Sequence, residues 1–203
     1  MPKPLIILTA DKDAQFAIRE LVRRHADLGI RSVEVDIYAH PQHDGGVFKR
    51  AHEFLRAFLK WQRALVVLDH DGSGHEEEPR EAVEEAIEQR LASNGWADRS
   101  RAVVIHPELE SWVWDGSYQV NRVLGWPDVR GLRRWIDERK FAPGDDGKPR
   151  QPKDALLAAL AYRRIQRSSG LYRDLARDFT FRECRDPAFR KLIHTLQFWF
   201  PIR

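Results

Sequence analysis

Asp69 and Asp71 stand two residues apart at the end of an apolar run, Leu65-Val66-Val67-Leu68, and lead into Gly72-Ser73-Gly74. The run reads as a buried strand, and residues i and i+2 of a strand face the same side. In an open α/β sheet, ligands sit outside the carboxyl ends of the strands. Two carboxylates there form a hard oxygen pocket suited to Mg²⁺ or Mn²⁺. The glycines permit close approach of a phosphate. The competing reading is an Asx-type turn that leads into the next helix.

Further acids fall in comparable places. Asp11 and Asp13 follow a first apolar run, Leu5–Leu8, and Glu108 and Glu110 follow Ala102–Ile105. Glu110, nearest Trp112, is the expected third member of a metal shell beside Asp69 and Asp71. Glu108 reads equally as the cap of a short helix opening at Pro107. His70 should point away from the side the aspartates share, and His75 flanks the pair. His40 and His43 have the spacing of a zinc half-site, but no second Cys or His pair accompanies them.

The elements that position these residues alternate. Strand signals at 5–8, 32–38, 64–68 and 102–105 are separated by helical periodicity at 13–26, 47–60 and 79–92, with residues 40–46 reading as a loop. This order predicts an α/β fold, a mostly parallel β-sheet flanked by helices. The composition changes near residue 115. Residues 1–115 carry 15 basic and 21 acidic side chains, a balance of −6; residues 116–203 carry 19 and 10, a balance of +9. We therefore expect an α/β domain over 1–115 and a basic helical C-terminal region over 116–203 packed on it. Helices are expected at 154–166, 170–178 and 187–197, after a Pro/Gly loop from Ala142.

An acidic half joined to an arginine-rich half suits a nucleic-acid partner. Arg150 and Lys153 are candidates to neutralise a scissile phosphate. Arg163, Arg164 and Arg167 are candidates for backbone contacts; solvated helix faces are the competing reading. Trp112 and Trp114 could stack on bases, although core packing is favoured. The tail Phe198-Trp199-Phe200-Pro201-Ile202 should pack on the sheet or on a partner.

Charged residues make up 32% of the chain and mean hydropathy is −0.57. No run approaches the roughly 18 apolar residues of a membrane span, and no signal-peptide core opens the chain. The single cysteine, Cys184, excludes an internal disulfide. A cytoplasmic protein with no membrane partner is expected.

Asp-x-Asp-x-Ser-Gly also opens an EF-hand loop, but position 12 from Asp69 is Arg80 and a strand precedes it. Haloacid-dehalogenase-type phosphatases use Asp-x-Asp after a strand. There Asp69 would be nucleophile and Asp71 acid/base, but the later acidic pair, Asp145-Asp146, has no strand before it. The ordered set Leu5–Thr9 with Asp11 and Asp13, Leu65–Leu68 with Asp69-His70-Asp71, and His106-Pro107-Glu108-Leu109-Glu110-Ser111-Trp112 resembles the TOPRIM (topoisomerase–primase) domain over residues 4–115. The likeness is to small stand-alone members associated with bacterial phage defence. That resemblance implies a Mg²⁺- or Mn²⁺-dependent nuclease, with Asp69, Asp71, Glu110 and Asp11 as catalytic or metal-holding residues. It also implies nucleic acid and other defence-system subunits as partners. One departure stands out. The family's glutamate at the end of the first strand is replaced by Thr9 or Ala10, with Asp11, Asp13 or Glu108 as substitutes. A non-catalytic subunit of a defence complex is the alternative.

Overall fold

The computed structural model describes residues 3–115, 120–144, 146–182 and 184–202. Four strands form one sheet: β1 (Leu5–Thr9), β2 (Val35–Ala39), β3 (Arg63–Asp69) and β4 (Ser100–Ile105). All three pairings are parallel and the order is β2-β1-β3-β4. The first half contributes helices α1 (Lys12–Arg23), α2 (His25–Leu28), α3 (His43–Leu55) and α4 (Arg80–Leu91). Beyond β4 come α5 (Glu110–Val113), α6 (Val120–Val123), α7 (Val129–Glu138), α8 (Pro152–Arg163), α9 (Ser169–Asp178) and α10 (Pro187–Trp199).

The central strands are apolar on both faces, as parallel strands covered on both sides must be. Ile6, Leu8, Val66, Leu68 and Val104 face α3 and α4, where they meet Val47, Leu55, Val83 and Ile87. Leu5, Ile7, Leu65, Val67, Val103 and Ile105 face the other way, into a core shared with Ile18, Leu160, Tyr172, Phe189 and Leu196. The basic C-terminal helices thus complete the layer that α1 begins. No helix among the described residues is long and apolar enough to cross a membrane.

The tail divides between the two expected behaviours. Phe200 is buried and Trp199 nearly so, the Arg31 N–H donates to the Phe200 carbonyl, and Pro201 bridges Ile30. Phe198 and Ile202 remain exposed. The sequence reading overlooked α7, whose apolar stripe of Leu132, Trp135 and Ile136 is short and interrupted by arginines.

The order β2-β1-β3-β4 has a consequence for ligands. The crossover from β1 leaves toward one edge and that from β3 toward the other. The loops following β1 and β3 therefore diverge, opening the crevice where such sheets bind ligands.

Candidate functional site

Asp69 is the last residue of β3 and Asp11 is the N-cap of α1, directly after β1. They are therefore on the two sides of that crevice. Asp11 Oδ1 accepts from the Ala14 N–H at 2.8 Å, which fixes the carboxylate at a helix N-terminus. The end of β1 carries no carboxylate. Thr9 is fully buried, and its hydroxyl lies 3.0 Å from the Asp11 carbonyl and 3.2 Å from the Tyr38 carbonyl. Ala10 is buried as well.

The third member was not found in the sequence. The expected loop at 40–46 is partly helix: α3 starts at His43, which puts Asp44 in its first turn. Asp44 Oδ1 accepts from the Asp69 backbone N–H at 2.8 Å. Gly46 lets this first turn close on the preceding loop, because a Cβ there would lie 2.4 Å from Gln42 Cβ and 2.6 Å from His40 Nδ1. The available signal was an acid in the first turn of a helix that follows a strand of the same sheet.

Electrostatics mark Asp69 out. Burial pushes its carboxyl well above the ordinary carboxylate range, and the charges of Asp44, Glu110, Asp11 and Glu108 push it further. Burial likewise raises Asp44, with Asp11 adding to it and the Asp69 N–H opposing. No cation forms an ion pair with Asp11, Asp44 or Asp69 among the described residues.

Glu110 and Glu108 lie on the same sheet edge but are occupied. Glu110 is buried and accepts from the Tyr172 hydroxyl at 2.5 Å, with Arg167 at 3.9 Å. Burial and then the Glu110 charge raise the Tyr172 phenol far above its usual value, so it stays a donor. Glu108 accepts from the Lys153 N–H at 2.9 Å and faces its ammonium at 3.5 Å; it caps α8 rather than a helix at Pro107. Burial works to lower the Lys153 ammonium, but Glu110, Glu108 and Asp69 outweigh it and hold it above its ordinary value. Asp13 accepts from Arg167 and Ser169, each at 2.6 Å, and so ties α1 to α9.

Asp71 lies past the strand end, where its charge still acts on Glu108. β3 stops at Asp69, so strand alternation does not extend to Asp71, which is exposed in the following turn. Its N–H donates to the Pro107 carbonyl at 2.9 Å. His70 is buried and turned away from the crevice, with Nδ1 2.8 Å from His106 Nδ1 and Nε2 3.2 Å from the His75 carbonyl oxygen. His75 pairs with Glu78 at 2.6 Å. His40 Nδ1 accepts from the Gln42 N–H.

The basic candidates do not share one role. Lys153 and Arg167 face the acidic edge. Arg163 lies over the Trp126 ring, 5.4 Å from its centroid, and Arg164 ends α8 in a left-handed conformation. Arg150 donates to the Pro143 carbonyl. Trp112 is buried with its indole N–H on Asp186, and the Trp114 indole N–H donates to the Pro152 carbonyl, so both support packing. Cys184 is buried against Asp115, and that burial pushes its thiol up, away from nucleophilic use. Asp145 lies outside the described residues. Asp146 pairs with Lys148 at 3.3 Å.

Among the described residues, no three His, Cys, Asp or Glu side chains converge as a preformed coordination shell. Mg²⁺-type sites rarely need one, because the ion keeps several waters and takes one or two carboxylates plus substrate phosphate oxygens. The donor set at Asp69, Asp44 and Asp11 has that hard, oxygen-only character, and no cation pairs with it directly among the described residues. No family model, curated protein or solved structure matches this chain.

Proposed function

We propose that this protein processes phosphodiesters with the help of a divalent cation held at the β1/β3 crevice. The observation that carries the reading is the placement of Asp69 at the carboxyl end of β3, with Asp44 on its backbone N–H, Asp11 across the crevice and no cation paired with any of the three among the described residues. Half-buried carboxylates crowded together without a paired cation are costly, and a cation would relieve them. Asp69 would hold the ion, with Asp44 or Asp11 beside it. Bound there, Mg²⁺ or Mn²⁺ would supply charge stabilisation and an activated water for in-line displacement. Lys153 is near enough to this edge to meet a phosphate oxygen, and Arg167 orients the Tyr172–Glu110 pair. The role in bacterial defence, with nucleic acid as substrate, follows from the TOPRIM resemblance.

A second reading has its own support. Thr9 replaces the family glutamate and is committed to backbone carbonyls, while Glu110 is closed off by Tyr172. Those features favour a subunit that keeps the fold without cleaving. One assay separates the two: incubation of labelled single- and double-stranded DNA and RNA with Mn²⁺ or Mg²⁺. The first reading expects cleavage that Asp69→Ala abolishes. Cleavage that survives Asp69→Ala would refute it, and inert wild-type protein that still binds nucleic acid would favour the second.

A further inference from the structure

A second constellation lies at the far end of α8, away from the acidic crevice. Trp126, Trp135 of α7 and Tyr162 of α8 form a three-ring cluster. The Trp126–Trp135 centroids are 5.3 Å apart, Tyr162 stacks on Trp126 at 5.8 Å and 27°, and it meets Trp135 at 5.2 Å. The two indoles are buried, but Tyr162 is 54% exposed. A phenol ring held against two indoles, yet more than half exposed, is a rigid platform. Cations bracket it. The Arg139 guanidinium lies 5.4 Å from the Trp135 ring and 5.9 Å from Tyr162, and Arg163 lies over Trp126.

The surrounding charge is one-sided. Arg130, Arg133 and Arg134 of α7, with Arg139, Arg163 and Arg164 at the ends of α7 and α8, are exposed. None of the six has an ion-pair partner among the described residues. The acids of α7 are Asp137 and Glu138. A field of unpaired guanidiniums attracts a polyanion, and an exposed aromatic face among them stacks bases of any sequence. Duplex DNA hides its base faces within the stack, so an open ring selects unpaired bases. Along α8, Tyr162 is roughly 14 Å from Lys153 at 1.5 Å per residue. A short single-stranded tract would bridge the platform and the acidic edge.

We propose that Tyr162, flanked by Arg139 and Arg163, is a stacking platform for single-stranded nucleic acid. This rests on the phosphodiester reading of the Asp69 crevice and names the form of polymer delivered to it.

The test is fluorescence anisotropy with labelled oligo(dT), oligo(U) and a duplex of equal length. It is run in EDTA so that no metal-dependent step contributes. Wild-type protein should bind a single strand more tightly than the duplex, with quenching of tryptophan emission. Tyr162→Ala should weaken binding about tenfold, and Tyr162→Phe should retain it, because stacking needs the ring and not the hydroxyl. Arg139→Glu with Arg163→Glu should weaken binding further and flatten its salt dependence. Tighter binding of oligo(dT) or of oligo(U) identifies the sugar. Equal affinity of Tyr162→Ala and wild type, with circular dichroism unchanged, overturns the proposal, as does preference for the duplex. Absence of cleavage by the wild-type protein in Mn²⁺ or Mg²⁺, with this binding intact, counts against the crevice and leaves the platform standing.

Discussion

Two groups of buried and half-buried carboxylates in this molecule have opposite surroundings. On the outer edge of β4, Glu84 and Glu88 of α4 accept from the Val104 and Ala102 N–H groups, each at 2.9 Å. Lys191 of α10 then joins both glutamates at 3.0 and 3.2 Å. These acids satisfy backbone donors that an edge strand would otherwise expose, and a lysine neutralises them. At the carboxyl end of the same sheet, Asp69 faces Asp44, Glu110, Asp11 and Glu108, and burial raises its pKa. The first group is complete within the chain. In the second, Glu108 and Glu110 are engaged by Lys153 and Tyr172, but Asp69, Asp44 and Asp11 have no paired cation among the described residues. Buried charge therefore means structure in one place and a site in the other, and what separates them is whether the partners are present.

This contrast predicts stability changes of opposite sign. Glu84→Ala leaves the Val104 N–H without an acceptor and unpairs Lys191. An unsatisfied buried donor and a broken charged contact cost about 2–4 kcal/mol, which for this size lowers Tm by roughly 4–16 °C. A scanning calorimetry trace unchanged by this substitution would remove the structural half of the comparison. Tyr172→Phe is next. It takes the donor from buried Glu110 at a cost of about 1.5–3 kcal/mol, read as a shift in urea midpoint.

Asp69→Asn should do the reverse and raise the stability of metal-free protein by about 0.5–2 kcal/mol, as relief at strained functional sites commonly does. The sign with pH follows. A carboxyl raised in the folded state binds protons that the unfolded chain has already released. Metal-free stability therefore falls as pH rises from the ordinary carboxylate range to the higher folded value of Asp69. In Asp69→Asn that fall should be smaller, measured by chemical denaturation across pH 4–8. Asp71→Asn is the smallest effect. Asp71 is exposed in a turn, so stability should change by no more than about 0.5 kcal/mol. A loss as large as that of Tyr172→Phe would contradict its placement.

Much of this was readable from the chain. The strands are continuous apolar runs and their spacing dictated an α/β order. Asp69 at a strand end and Asp11 after β1 were visible because strand ends are marked by the change from apolar to acidic residues. Asp44 was not visible, because the apolar periodicity of α3 begins at Val47 and hides the first turn, where Asp44 is. The exposed position of Asp71 was not visible for a related reason: side-chain alternation holds only within a strand, and β3 stops at Asp69. The engagement of Glu110 by Tyr172 spans 62 residues and carries no local signal. The aromatic trio was split between Trp126, Trp135 and Tyr162, and no periodicity connects a loop with two helices.

The most direct test of the Asp69 site is Mn²⁺ titration followed by thermal unfolding, on wild type and Asp69→Asn, at pH 5 and pH 7.5. The account predicts that millimolar Mn²⁺ raises the Tm of wild type, more at pH 7.5, where a metal competes with fewer protons. It predicts no such rise in Asp69→Asn. Equal stabilisation of both proteins, or none of either at millimolar Mn²⁺, would contradict it.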